Sequence, residues 1–110
     1  MEINCIQLGN NLFVELEGEF DLHTADYFRT ETSDRLTAEI DNLILDLDGI
    51  DFIDSSGLGA ILGVYKKINP KGGSIGVINI TPHVERIFEV SGFLKIIDIY
   101  PSKQEVLEGI

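Results

Sequence analysis

At 110 residues with 44% hydrophobic side chains, the chain has room for one domain around a single core and for no second. Its formal net charge is -11 and its largest basic cluster is Lys66, Lys67 and Lys71, too little Lys/Arg footprint for direct nucleic-acid binding. One cysteine, Cys5, allows no internal disulfide and supplies no metal cluster. No apolar run approaches the ~18 residues of a membrane span, and the chain opens on a strand-like segment without a leader. A cytoplasmic protein with no cofactor, metal or membrane contact is therefore expected, with Cys5 a small core residue.

In chain order, Ile3 to Leu8 and Leu12 to Leu16 read as strands joined by a turn at Gly9 and Asn10, a hairpin. Alternation puts Leu12, Val14 and Leu16 inside and Phe13, Glu15 and Glu17 on a mostly wet face, as in the outer pair of a sheet. Gly18 to Asp21 is a loop. Thr24 to Ala38 is polar with a thin stripe of Ala25, Phe28, Thr32 and Leu36, a surface helix. Leu43 to Leu47 is apolar on both faces, as a central parallel strand under helices should be. The helix after it carries Leu58, Ile61, Leu62, Tyr65 and Ile68 on one face and closes at Asn69, Pro70 and Gly72. Ile75 to Ile80 is a strand. Thr81 then caps a helix with Pro82 in its first position, Val84, Ile87 and Phe88 as its apolar stripe and Gly92 at its end. Ile96 to Ile99 is the last strand and Ser102 to Leu107 a terminal helix. The sum is an α/β fold: an open mixed sheet with an N-terminal hairpin, central parallel strands and about four helices.

Charge is uneven along this order. Residues 1–54 hold 14 acidic and two basic side chains, whereas residues 55–110 hold five acidic and six basic ones. Part of that acidity is ordinary solubilising surface, and the rest suits attraction to a basic protein partner.

Asp54, Ser55, Ser56, Gly57, Leu58 and Gly59 stand where the central strand gives way to a helix. The first N–H groups of a helix lack internal partners and carry the positive end of its dipole, so a serine oxygen or a phosphate is stabilised there. Serine as a plain N-cap explains the hydroxyls without any chemistry. It does not explain Gly57, Gly59 and Gly63, each costing roughly 0.5 to 1 kcal/mol in a helix relative to alanine. Either close packing on the sheet or close approach of a partner must offset that cost.

Gly18-Glu19-Phe20-Asp21, Asp54-Ser55-Ser56-Gly57-Leu58-Gly59 and the segment from Pro82 through Ile97, in this order and spacing, resemble the bacterial anti-sigma factor antagonists of the STAS domain family. The likeness spans nearly the whole chain as one domain, residues 1–110. It is strongest to the sporulation members, through Leu22-His23-Thr24-Ala25 and the run from Gly57 to Ile68. The resemblance implies a STAS-type sheet and a partner switch. The unphosphorylated antagonist would bind an anti-sigma factor that is also a serine kinase, freeing the sigma factor. The kinase would phosphorylate Ser55, abolishing binding, and a serine phosphatase would reverse it. The protein would then be substrate and switch, not an enzyme. Asp21, His23, Thr24, Asp54, Ser56, Gly57, Leu58 and Gly59 would form the partner-binding surface.

Blander roles stand beside these. Asp21 before a helix serves equally as a turn or cap residue. His23 has no second ligand at metal spacing and reads as a surface histidine before a general base. Ser56 competes with Ser55 as acceptor, or caps the helix. Two other classes remain: a non-switching STAS scaffold, and a small nucleotide binder suggested by the glycines. Their spacing is GxGxxxG with no following Walker lysine, which weakens the second.

Overall fold

Residues 1–109 are described by a computed structural model. Strands β1 (Glu2–Leu8) and β2 (Asn11–Glu17) form the hairpin, with Leu8 opposite Asn11 and Glu2 opposite Glu17. The chain then alternates helix and strand: α1 (Ala25–Ser33), β3 (Asn42–Gly49), α2 (Ser55–Ile68), β4 (Ser74–Ile78), α3 (Pro82–Ser91), β5 (Ile97–Ile99) and α4 (Lys103–Leu107). Short 3-10 turns at Asn69–Lys71 and Phe93–Lys95 close α2 and lead from α3 into β5.

The sheet runs β1-β2-β3-β4-β5, antiparallel only in the first pair. Each parallel step needs a crossover, and because the order is sequential and such crossovers are right-handed, successive helices fall on the same face. That face carries the main core: Leu12, Val14, Leu16, Leu43, Leu45, Leu47, Ile75 and Val77 from the strands, against Phe28 of α1, Ile61 and Val64 of α2 and Phe88 of α3. Phe20, from the loop before α1, is fully buried and meets the Phe28 ring at 4.8 Å. Asn11, Asn42 and Ser74 join the ends of three strands by side-chain hydrogen bonds of 3.0 and 2.8 Å.

Four expectations need correction. Phe13 is not wet: it is 1% exposed, in a second small core on the other face with Ile44, Ile78 and Val106. The terminal helix α4 supplies that cover, holding Lys103 Nζ 4.8 Å from the Phe13 ring centre, and the Tyr100 ring lies on Gly76, where any side chain would collide. Secondly, α1 ends at Ser33 and not Ala38. Ser33 and Asp34 are weak helix formers, and residues 34–41 are needed to bring Ile40 into the core and Asp41 onto the Asn10 carbonyl. Thirdly, α2 buries Ile61 and Ile68 as expected, but the rest of its buried stripe is Gly57, Ala60 and Val64, with Leu58, Leu62 and Tyr65 only flanking it. Large side chains drew the sequence pattern to one flank, whereas the sheet accepts the smaller residues. Lastly, β4 stops at Ile78 because Asn79 takes a left-handed φ of 55°.

Cys5 is half-buried against the core, and burial pushes its thiol up; Arg35 opposes that shift and Glu31 adds to it. At neutral pH it stays protonated and packs as a small apolar group. Among the described residues no helix is long and apolar enough to cross a membrane.

Thr32 is fully buried on α1, and its hydroxyl has no hydrogen-bond partner among the described residues. Removing an unsatisfied polar group while keeping the branched shape is favourable. Thr32→Val is expected to raise stability by about 1 kcal/mol in urea unfolding; a loss of stability would show that the hydroxyl is satisfied in solution.

Candidate modification and docking site at the start of α2

Two loops build this site, and backbone pairing locks them together. Phe20 and Ile53 form a parallel bridge, and the Asp54 N–H donates to the Phe20 carbonyl at 3.2 Å. Both side chains are buried, so each loop is anchored by an apolar residue while its neighbours face out. In the first loop Asp21 Oδ1 accepts from the His23 N–H at 2.9 Å, an Asx turn, and the Asp21 carbonyl accepts from Thr24 and Ala25. The Thr24 hydroxyl donates to the Glu19 carbonyl at 2.7 Å and accepts from the Asp21 N–H at 3.0 Å. Thr24 therefore shapes the loop, and it makes no side-chain cap to α1.

The second loop ends in Asp54, and Asp54 is the N-cap of α2. Its backbone is extended (φ -97°, ψ -176°), and its Oδ1 accepts from the N–H groups of Ser56 at 2.9 Å and Gly57 at 3.0 Å. Neither serine is the cap, which corrects that role for Ser56 and the plain-cap explanation of Ser55. Ser55 is the first helical residue and is exposed; Ser56 follows half-buried.

The glycines separate by cause. A Cβ on Gly57 would stand 2.6 Å from Ile53 Cγ1 and 2.8 Å from the Phe20 carbonyl oxygen, so this glycine lets α2 settle onto the bridge between the loops. Gly57 is buried and available to no partner, and Leu58 packs half-buried against the core. Gly59 is exposed with open space where a side chain would go, and Gly63 would meet only Arg29 at ordinary contact distance. Of the three glycines, packing therefore accounts for Gly57 alone.

An open groove of about 750 Å³ runs beside the start of α2, lined by Glu17, Gly18, Glu19, Asp21, Gly49, Asp51, Phe52 and Asp54. It brings together Asp21 and Asp54, 33 positions apart in sequence, and contains no Lys or Arg. His23 lies exposed on the adjoining turn outside the groove lining. Sequence reasoning missed Phe52, a residue 54% exposed whose ring stacks on His83 of α3 at 6.1 Å between centroids, and Leu22, 71% exposed. An aromatic between two acids in Asp51-Phe52-Ile53-Asp54 was the available signal, since Ile53 alone is needed to anchor the loop. Among the described residues no group of three or more His, Cys, Asp or Glu is placed to hold a metal ion.

A single sequential mixed sheet with its three crossover helices on one face, and a capped, glycine-relieved helix start beside an acidic groove, define a STAS-type domain. The STAS domain family matches residues 2–106, and the chain belongs to it. It is 41% identical over 97 residues to an anti-sigma F factor antagonist of Paenibacillus polymyxa, covering 87% of this chain and 83% of that protein. Among solved structures, TM1081 of Thermotoga maritima superposes with a TM-score of 0.89 at 23% identity, over 98% of this chain and 93% of that one. The Bacillus antagonist SpoIIAA is similar in fold in its unphosphorylated form (TM-score 0.76, 19% identity, 98% and 96% covered) and in its phosphorylated form (0.76, 21%, 97% of each).

Alanine at the two glycines should act in opposite directions. Gly57→Ala forces apart the helix and the loop bridge and is expected to cost about 1–3 kcal/mol. Gly59→Ala fills open space in a helix and is expected to gain about 0.5–1 kcal/mol. Urea unfolding of both variants measures this, and equal shifts would overturn the packing account of Gly57.

Proposed function

We propose that this protein is a phosphorylation-controlled anti-sigma factor antagonist: unphosphorylated, it binds an anti-sigma factor that is also a serine kinase and so releases the sigma factor. The observation that carries the reading is the division of labour at the helix start. Asp54 does the capping, so the exposed Ser55 hydroxyl has no structural duty there and stands beside an acidic groove with an exposed aromatic. The kinship with proteins named anti-sigma factor antagonists supports the output, and a fold neighbour solved in a phosphorylated form supports the chemistry.

In the transfer, Ser55 Oγ bonds to the γ-phosphorus of ATP as the bond to the β-phosphate oxygen breaks; ADP leaves, and the hydroxyl proton passes to a base of the kinase. The chain is the acceptor, and a serine phosphatase hydrolyses the ester to restore it. The phosphoryl group adds about -1.5 to -2 charges next to Asp54. Before modification, the groove and exposed Phe52 suit a partner surface with cations around an apolar centre. Afterwards, excess charge and bulk oppose docking. The site thus acts in the cytoplasm as a switch between two protein partners, with no nucleic acid or membrane in direct contact.

Incubation with the cognate anti-sigma kinase and ATP is expected to add one phosphate, on Ser55; peptide mass spectrometry placing it solely on Ser56 or Thr24 would sink the assignment. Ser55→Ala should bind the kinase like the parent and change stability by less than about 0.5 kcal/mol, since no cap is lost. Ser55→Asp should fold and bind weakly, and Asp21→Ala should weaken binding without unfolding. Titration calorimetry at matched salt reads all three, and parental affinity in Ser55→Asp would contradict the switch.

A further inference from the structure

A helix start ordinarily offers a phosphate its free N–H donors and the positive end of the dipole, so a phosphoserine placed there is neutralised within its own fold. In this chain two of those donors are already taken. Asp54 Oδ1 holds the N–H groups of Ser56 and Gly57 at 2.9 and 3.0 Å, and it does so as a carboxylate whose charge also complements the dipole. The groove beside it adds Glu17, Glu19, Asp21 and Asp51 and contributes no Lys or Arg, with the Met1 amino nitrogen lying behind Gly18 at its edge. Arg29, the guanidinium packed on α2, lies at Gly63, eight residues or about 12 Å along the axis, and is paired with Asp26 at 3.0 Å. Lys66 and Lys67 stand in the last turn. Two imidazoles complete the surroundings: His23 on the Asp21 turn, and His83 of α3 against Phe52.

We propose that Asp54 denies the Ser56 and Gly57 N–H groups to a phosphate on Ser55, so that more of the phosphate's charge stays uncompensated in the free protein and is displayed at the docking surface. The inference rests on Ser55 being the phosphoacceptor and concerns how the switch works. Without Asp54, the phosphate would fold back onto the N–H groups of Ser56 and Gly57, and the repulsion that breaks the complex would be partly absorbed internally. The residue before the acceptor is then a positioning residue for the switch as well as a cap. The sign follows from like charges: neighbouring carboxylates disfavour the dianion, so its second ionisation moves upward, whereas two backbone donors would move it downward.

The test uses the full chain with phosphoserine installed at position 55 during translation, followed by ³¹P NMR titration from pH 4 to 9. The same titration is run on Asp54→Asn, which keeps an oxygen able to cap but removes the charge, and on Asp54→Ala, which vacates both donors. A His23→Gln, His83→Gln background removes the two imidazoles named above. The expected order is parent highest, roughly half a unit above the unfolded phosphopeptide of the same sequence, then Asp54→Asn near the peptide, then Asp54→Ala below it. A parent value at or below the peptide, or the same value in all three proteins, overturns the proposal. If Asp54→Ala does not fold, the parent against Asp54→Asn decides: no drop overturns it. Because no kinase is involved, this result is separate from the switch itself, which fails only if the phosphorylated parent binds the anti-sigma kinase as tightly as the unphosphorylated chain does.

Discussion

Beneath Gly57 two loops distant in sequence are tied to each other, and the position of every residue at the site follows from that tie. Phe20 and Ile53 are buried side by side and bridged through their backbones, and the Asp54 N–H completes the bond to Phe20. With that junction in place, α2 can descend onto it only if its third residue lacks a side chain. Its first residue, Ser55, is left facing out. A site made of loops is thereby given the rigidity of the core it is anchored in, which is what a recognition surface needs if docking is not to be weakened by the entropy of ordering it.

The same junction controls the electrostatics. Bringing the Gly18–Thr24 loop against residues 50–54 gathers carboxylates from both around one aromatic ring, with the chain's cations held elsewhere. The two ion pairs found among the described residues, Arg29–Asp26 and Arg86–Glu89, are exposed single-turn pairs on α1 and α3 and contribute little to stability. No groove carboxylate is therefore neutralised by an ion pair among the described residues. Asp54 has two roles at once, because the carboxylate that caps the helix also belongs to that acidic field. Capping a helix start and raising the local negative potential are the same act.

Much of this architecture was legible in the chain because it depends on local rules. The strand-to-helix order, Pro82 after Thr81, Gly92 in its left-handed turn and the apolar run of β3 each announce themselves within a few residues, and each is found in the fold. The acidic first half and the hydroxyls at the start of α2 were equally plain. Where sequence reading strayed, the deciding contact came from far along the chain. Phe13 looks solvent-facing by alternation, and only the return of α4 from the far end of the sequence covers it. Periodicity found Ile61 and Ile68 of the buried stripe of α2 but added the bulky flank of Leu58, Leu62 and Tyr65, because it weighs side-chain size and has no knowledge of the surface the helix must fit.

The sequence by itself determined the fold class, the place of the Ser55 hydroxyl at a helix start and the sign of the surface around it, since these follow from periodicity, composition and neighbouring residues. Tertiary structure alone decided which residue caps α2, why Gly57 is a glycine while Gly59 meets nothing, and that Asp21, Phe52 and Asp54 share one groove. The reason is physical: a cap depends on where a side-chain oxygen comes to rest, and a glycine's necessity on what presses against it. Both are set by the meeting of Phe20 with Ile53, a contact between segments more than 30 residues apart that no local pattern encodes.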